Sequence, residues 1–124
     1  MEKGVASLLA YQKAFKLGME IFTVSKSFPR EEKYSLTDQI RRASRAVCAN
    51  LAEAYAKRVY KSHFISKLTD AMMENNESAV WLEFAYKCDY ITEERFSIYL
   101  NLNKEISKLI NYMIQNPEKF SQKL

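Results

Sequence analysis

Arg41, Arg42 and Arg45, with a second basic group at Lys57, Arg58 and Lys61, are the side chains best suited to chemistry in this sequence. A guanidinium presents a planar fork of donors that matches two oxygens of one phosphate. On a helix, Arg41, Arg42 and Arg45 lie about 100°, 200° and 140° round from Ile40, so they share one side. The second group stands about 25–30 Å further along at 1.5 Å per residue. Such a set could hold the phosphates of RNA or DNA with little reading of base sequence. It could equally pair with Glu74, Glu77 or Glu83 of a neighbouring helix or subunit, and the residues alone favour neither reading.

Other chemistries lack the residues to carry them. A di-iron or di-manganese site in a helical bundle needs Glu on two helices and Glu-x-x-His on two more. The sole histidine is His63, so Asp70, Glu74 and Glu77 read as a solvated stripe or as ion-pair partners. No metal and no cofactor is expected. Cys48 and His63 fall far apart along their helices, and Cys48 and Cys88 suit small buried positions in a reducing compartment. Gly4 and Gly18 stand alone and make no phosphate loop. The expectation is a protein that is not an enzyme and has no evident small-molecule substrate.

The elements that position these residues follow from length and punctuation. The chain has 124 residues, 48% hydrophobic and 27% charged, which suits one globular domain. Glycine and proline occur twice each, at Gly4, Gly18, Pro29 and Pro117, and nothing between Arg30 and Asn116 breaks a helix. The fold class is therefore all-α. Four helices are predicted over about residues 7–27, 36–58, 62–87 and 93–115, with a polar tail over about 117–124. Ser35 and Thr92 read as N-caps. The expected core stripes begin with Leu8, Tyr11, Phe15, Met19 and Phe22 on the first helix. Leu36, Ile40, Ala43, Val47, Leu51 and Ala54 follow on the second. The third uses Phe64, Leu68, Ala71, Met72, Asn75, Ala79, Leu82 and Tyr86, and the fourth Phe96, Tyr99, Ile106, Ile110 and Met113. Short connections favour an antiparallel up-down-up-down four-helix bundle. No apolar run approaches the ~20 residues of a membrane span, and the start of the chain does not read as a signal peptide, so the expected location is the cytoplasm.

Two helices carry surface that a monomer does not need. Ala49, Ala52 and Ala56 lie away from the core stripe of the second helix, in the sector of the arginines. Met73, Val80 and Phe84 form a second seam on the third, roughly opposite Phe64 and Leu82. These six residues are expected at a subunit interface. Charge is uneven too: residues 1–62 carry a net +6 and residues 63–124 a net −2, so one face should be positive.

The order of short motifs then becomes specific. Tyr11-Gln12-Lys13-Ala14, Phe28-Pro29, Glu31 or Glu32, and Tyr34-Ser35-Leu36-Thr37 come first. Gln39-Ile40-Arg41-Arg42-Ala43, Asn50-Leu51-Ala52-Glu53, Glu77 and Asp89-Tyr90-Ile91 follow. Over about residues 8–115 the chain resembles the four-helix-bundle proteins encoded in intervening sequences of bacterial 23S ribosomal RNA genes. Where that family has Ser-Ile-Pro or Ser-Val-Pro, this chain has Ala46-Val47-Cys48. Where the family has glycine after Ala-Glu, it has Ala54. Both changes make the second helix more regular. The resemblance implies an antiparallel bundle, often a ring-shaped pentamer. A related group, the accessory proteins of diversity-generating retroelements, implies non-catalytic binding of RNA or DNA, carried here at Arg41, Arg42 and Arg45. Asn50, Glu53 and Glu77 also match motif positions and read first as structural or interface polar residues. The leading expectation is a homo-oligomer, a pentamer, that binds RNA or DNA through its second helix. The alternative is a self-associating protein-interaction module with no nucleic-acid partner.

Overall fold

The computed structural model describes residues 4–121. Four helices follow one another: α1 Leu9–Ser25, α2 Leu36–Ala56, α3 Lys61–Lys87 and α4 Glu93–Gln115. Short 3-10 turns occupy Val5–Ser7, Arg30–Glu32 and Pro117–Lys119. The helices form a square in which α1 packs on α2, α2 on α3, α3 on α4 and α4 back on α1. Among the described residues no close backbone approach crosses either diagonal. Neighbours are antiparallel: Glu53 near the end of α2 meets Lys67 near the start of α3 at 2.7 Å. The expected four-helix bundle is what the chain forms.

The helix ends have local causes. Phe28-Pro29 stops α1, because the residue before proline is pushed out of the α region. Thr92 caps α4, its hydroxyl accepting the Arg95 N–H at 3.1 Å. Ser35 does occupy the N-cap of α2, but its hydroxyl caps nothing. Glu32 does that work: its Oε1 accepts the Leu36 N–H at 3.1 Å and the Ser35 hydroxyl at 2.6 Å. Its Oε2 accepts the Tyr90 hydroxyl at 2.7 Å, which ties the α1–α2 connection to the α3–α4 turn. Asp89 makes that turn with φ 63°. Tyr90 N–H reaches the Ala85 carbonyl and Asp89 N–H the Tyr86 carbonyl, the bond pair of a Schellman motif. The segment expected to be a polar tail begins by folding back: Pro117 is buried, and Phe120 packs between Phe64 and Tyr112. Residues 122–124 of that tail, and residues 1–3 of the stretch expected not to be a signal peptide, lie outside the described residues.

The core confirms the α2 stripe and corrects that of α1. Leu36, Ile40, Ala43, Val47, Leu51 and Ala54 are all buried. On α1 the buried residues are Ala10, Ala14, Leu17, Ile21 and Ser25, whereas Phe15 and Met19 are 52% and 50% exposed. Two apolar stripes wind round α1, and the one bearing alanines turns inward because small side chains let the helix approach its neighbours. On the remaining helices, Met72, Ala79, Tyr86 and Phe96 of the expected stripes sit half-buried at the margins.

A polar lock sits at the centre. Asn75 of α3 and Asn103 of α4 are 1% and 4% exposed. Each side-chain Nδ2 donates to the other residue's backbone carbonyl at 2.9 Å. Asn103 Nδ2 also reaches Asn75 Oδ1 at 3.1 Å, and Asn75 Nδ2 reaches the Ser107 hydroxyl at 2.8 Å. Removing one partner strands the other in a dry core. Asn75→Leu and Asn103→Leu should each cost about 2 kcal/mol in urea unfolding, while the double variant should cost clearly less than their sum. Additive losses would show that the two amides do not act as a unit.

The Glu32 carboxyl is held below the usual carboxylate range, first by the Ser35 hydroxyl, then by Tyr90 and the Leu36 N–H. A depressed folded value means stability that is present above the unfolded value and lost as pH falls through the folded one. The urea midpoint of the wild type should therefore exceed that of Glu32→Gln by a constant margin at neutral pH. That margin should shrink below about pH 4. A margin unchanged down to pH 3 would break the link.

Candidate interaction surface

The arginines of α2 begin life in one sector and end in three different situations. Arg41 turns back on the end of α1. Its Nε donates to the Ser25 hydroxyl at 2.8 Å, its guanidinium reaches the Phe22 carbonyl at 3.5 Å, and it lies 4.9 Å over the Phe22 ring. A cation here also complements the negative end of the α1 dipole. Arg42 is exposed and pairs with Asp38 at 3.0 Å one turn earlier, a surface contact of small energetic weight. Arg45 is exposed, stands 5.6 Å over Phe22, and makes no ion pair among the described residues.

The second basic group gathers where α2 turns into α3. Lys57 is the exposed C-cap of α2, and Lys61 is the exposed first residue of α3. Arg58 lies 4.0 Å over the Tyr55 ring and donates to the Tyr55 carbonyl at 2.9 Å. Its Nε is buried and has no hydrogen-bond partner among the described residues.

Phe22 becomes a hub that sequence reasoning placed in the core. Lys26 at 4.7 Å joins Arg41 and Arg45 around its ring. Cations favour the electron-rich faces of aromatic rings, so one half-buried phenylalanine collects three of them. Beside it runs an apolar groove of about 380 Å³ between α1 and α2, lined by Phe15, Gly18, Met19, Phe22, Arg45 and Cys48. Burial pushes the Cys48 thiol up to about 11, so at neutral pH it stays protonated and is a poor nucleophile. His63 sits apart at the start of α3, its ring 6.0 Å from that of Tyr60.

On α3, Met73, Val80 and Phe84 are exposed at 56%, 48% and 54%, in line and opposite the buried stripe. They form a ridge. On α2, Ala49 and Ala56 are exposed and Ala52 is half-buried. Ala49 helps floor a trough of about 530 Å³ whose walls are Arg42 and Arg45 on α2 and Glu74 and Glu77 on α3. Among the described residues no ion pair bridges those walls. Glu74 is raised above the ordinary carboxylate value, first by burial and then by repulsion from Glu77 and Asp70. Glu77 accepts the Trp81 indole N–H at 3.0 Å. Glu53 is held below the ordinary value by the hydrogen bond from Lys67. Asn50 is half-buried and makes no side-chain bond to another helix among the described residues.

The groove beside α1 went unseen in the sequence because its large apolar residues read as core. The available signal was an excess: α1 carries apolar residues on more sides than one buried stripe can use. Among the described residues no three His, Cys, Asp or Glu side chains converge to hold a metal ion, and no helix is long and apolar enough to cross a membrane.

Comparison with known proteins adds the lineage. No curated protein matches. A crystal structure of a protein of unknown function from the S23 ribosomal protein family of Bacteroides thetaiotaomicron superposes with a TM-score of 0.78 at 30% identity. The match covers 86% of this chain and 96% of that one. The family model described as 23S rRNA-intervening sequence protein matches residues 6–112. With that span of the sequence matched and the bundle shared, the chain belongs to the 23S rRNA-intervening sequence protein family.

Proposed function

We propose that this protein is a non-catalytic, self-associating helical module whose task is to present a surface. The observation that carries the reading is the α3 ridge: three large apolar side chains, Met73, Val80 and Phe84, about half exposed along one line. Single exposed apolar residues are ordinary, but an aligned set on a well-formed helix is what a partner helix covers. The engagement of Arg41 with the end of α1 supports a structural use of that arginine. A ring of five is the assembly that the resemblance to the family implies. Cys88 is exposed and Cys48 half-buried, where both were expected to be buried, and two free thiols suit the cytoplasm.

A second reading concerns nucleic acid, and one observation favours it. Lys57, Arg58 and Lys61 lie within five residues of one another at the α2–α3 turn; both lysines are exposed and neither closes an ion pair among the described residues, although Lys57 stands near enough to Glu53 to help lower its carboxyl. Repeated around an assembly, this basic turn would form a belt for phosphates. The ribosomal family name of the similar Bacteroides protein leans the same way.

Light scattering on a sizing column tests the first reading. The wild type should elute as a multiple of the monomer mass at micromolar concentration, and Phe84→Asp as a helical monomer. A wild type that stays monomeric would sink it. For the second, fluorescence anisotropy with a labelled single-stranded RNA should show affinity falling steeply with salt. Lys57→Glu with Lys61→Glu should weaken it at least about tenfold at low salt. Wild-type binding that ignores salt, or no binding at all, would remove it.

A further inference from the structure

Two apolar surfaces of this molecule differ in shape and in charge. The α1–α2 groove is concave, and Lys26, Arg41 and Arg45 stand around Phe22 at its edge. The α3 ridge is convex, and Glu74 and Glu77 flank it on the side towards α2. Asp70 is also on α3, but it is partly answered by Lys67 at 3.7 Å. Arg45 and Glu74 make no ion pair among the described residues, so both charges are available to a partner.

We infer that the α3 ridge of one copy seats in the α1–α2 groove of the next, with the ridge carboxylates facing the cations around Phe22. This rests on the self-association proposed above and adds which faces meet. Pairing like with like is disfavoured twice. Ridge against ridge brings Glu74 and Glu77 towards their own copies, and groove against groove brings Arg45 and Lys26 towards theirs. Either arrangement also sets convex on convex or concave on concave, which leaves apolar surface wet. Ridge into groove buries Met73, Val80 and Phe84 against Phe15, Met19 and Phe22 and sets opposite charges across the rim. Such a contact is heterologous. Each copy keeps one free ridge and one free groove after pairing, so growth continues until the rotation closes. Gly18 suits the floor of such a groove, since it leaves space where any other residue would stand.

Two one-sided variants give the test. Met19→Asp spoils the groove and keeps the ridge; Val80→Asp spoils the ridge and keeps the groove. Both positions are about half exposed, so the fold should hold, as circular dichroism would verify. Each variant alone should run as a monomer. Mixed one to one, they should form a heterodimer of twice the monomer mass, because one sound ridge meets one sound groove. If Met19→Asp keeps the wild-type assembly, the groove is not the seat and the pairing is overturned while self-association stands. If both variants are monomeric but the mixture stays so, the ridge-to-groove pairing is overturned as well. A monomeric wild type would overturn both readings.

Should either aspartate variant unfold, cysteine pairing replaces it. In a Cys48→Ser, Cys88→Ser background, Met19→Cys and Val80→Cys are made as separate proteins. Oxidation should cross-link the mixture into a dimer containing one of each. Cross-linking of Val80→Cys with itself as readily as with its counterpart would mean ridge on ridge, and would overturn the proposal.

Discussion

The bond between Asn75 and Asn103 is the constraint that orients the molecule. Helix α3 carries apolar residues on nearly every side, so hydrophobicity alone hardly tells it which way to face. A buried amide does tell it. The two asparagines can satisfy their donors only when α3 and α4 stand at one rotation and one register. With Asn75 inward, Met73, Val80 and Phe84 must point outward. The exposed ridge is thus a consequence of a polar contact in the core, and the stability given up to bury amides is returned as a defined surface.

The same logic of polar fasteners governs the bundle's ends. Glu32 caps α2 and holds Tyr90, so one carboxylate joins two connections that are remote in sequence. Phe28 packs its ring 5.5 Å from that of Tyr90 beside this contact, with Leu36 and Ile91 buried in the same core. Arg41 fastens α2 to the end of α1 through Ser25 and Phe22. Phe28-Pro29, Glu32, Ser35-Leu36 and Tyr90-Ile91, far apart in sequence, therefore meet in space. Their shared work is closing one end of the bundle.

Much of this was legible in the sequence. The scarcity of glycine and proline announced helices, and Pro29, Thr92 and Pro117 placed their ends closely. The α2 stripe was legible because its inward positions are apolar and its outward ones charged. The α1 stripe was not, since both candidate faces are apolar and residue size pointed to the wrong one; close packing favoured Ala10 and Ala14 over Phe15 and Met19. Asn103 gave no sign because an asparagine on a helix is ordinarily a surface residue, and only a second buried amide opposite makes it a lock. The arginines shared a sector as expected, but long flexible side chains are assigned by what lies within their reach. Phe22 and Ser25, sixteen or more residues away, could not be read as the partners of Arg41.

The square arrangement of the helices has a kinetic corollary. Three of its four walls join helices that follow one another along the chain, and each can zip up from its own short connection. The fourth wall, α4 against α1, carries the Lys13–Glu105 pair at 2.9 Å and joins segments separated by nearly the whole sequence. Its loop entropy falls due once, late, after the hairpins have formed. The seam between first and last helix is then the natural last step of folding and the first place to breathe, and the groove-bearing helix α1 lies along it.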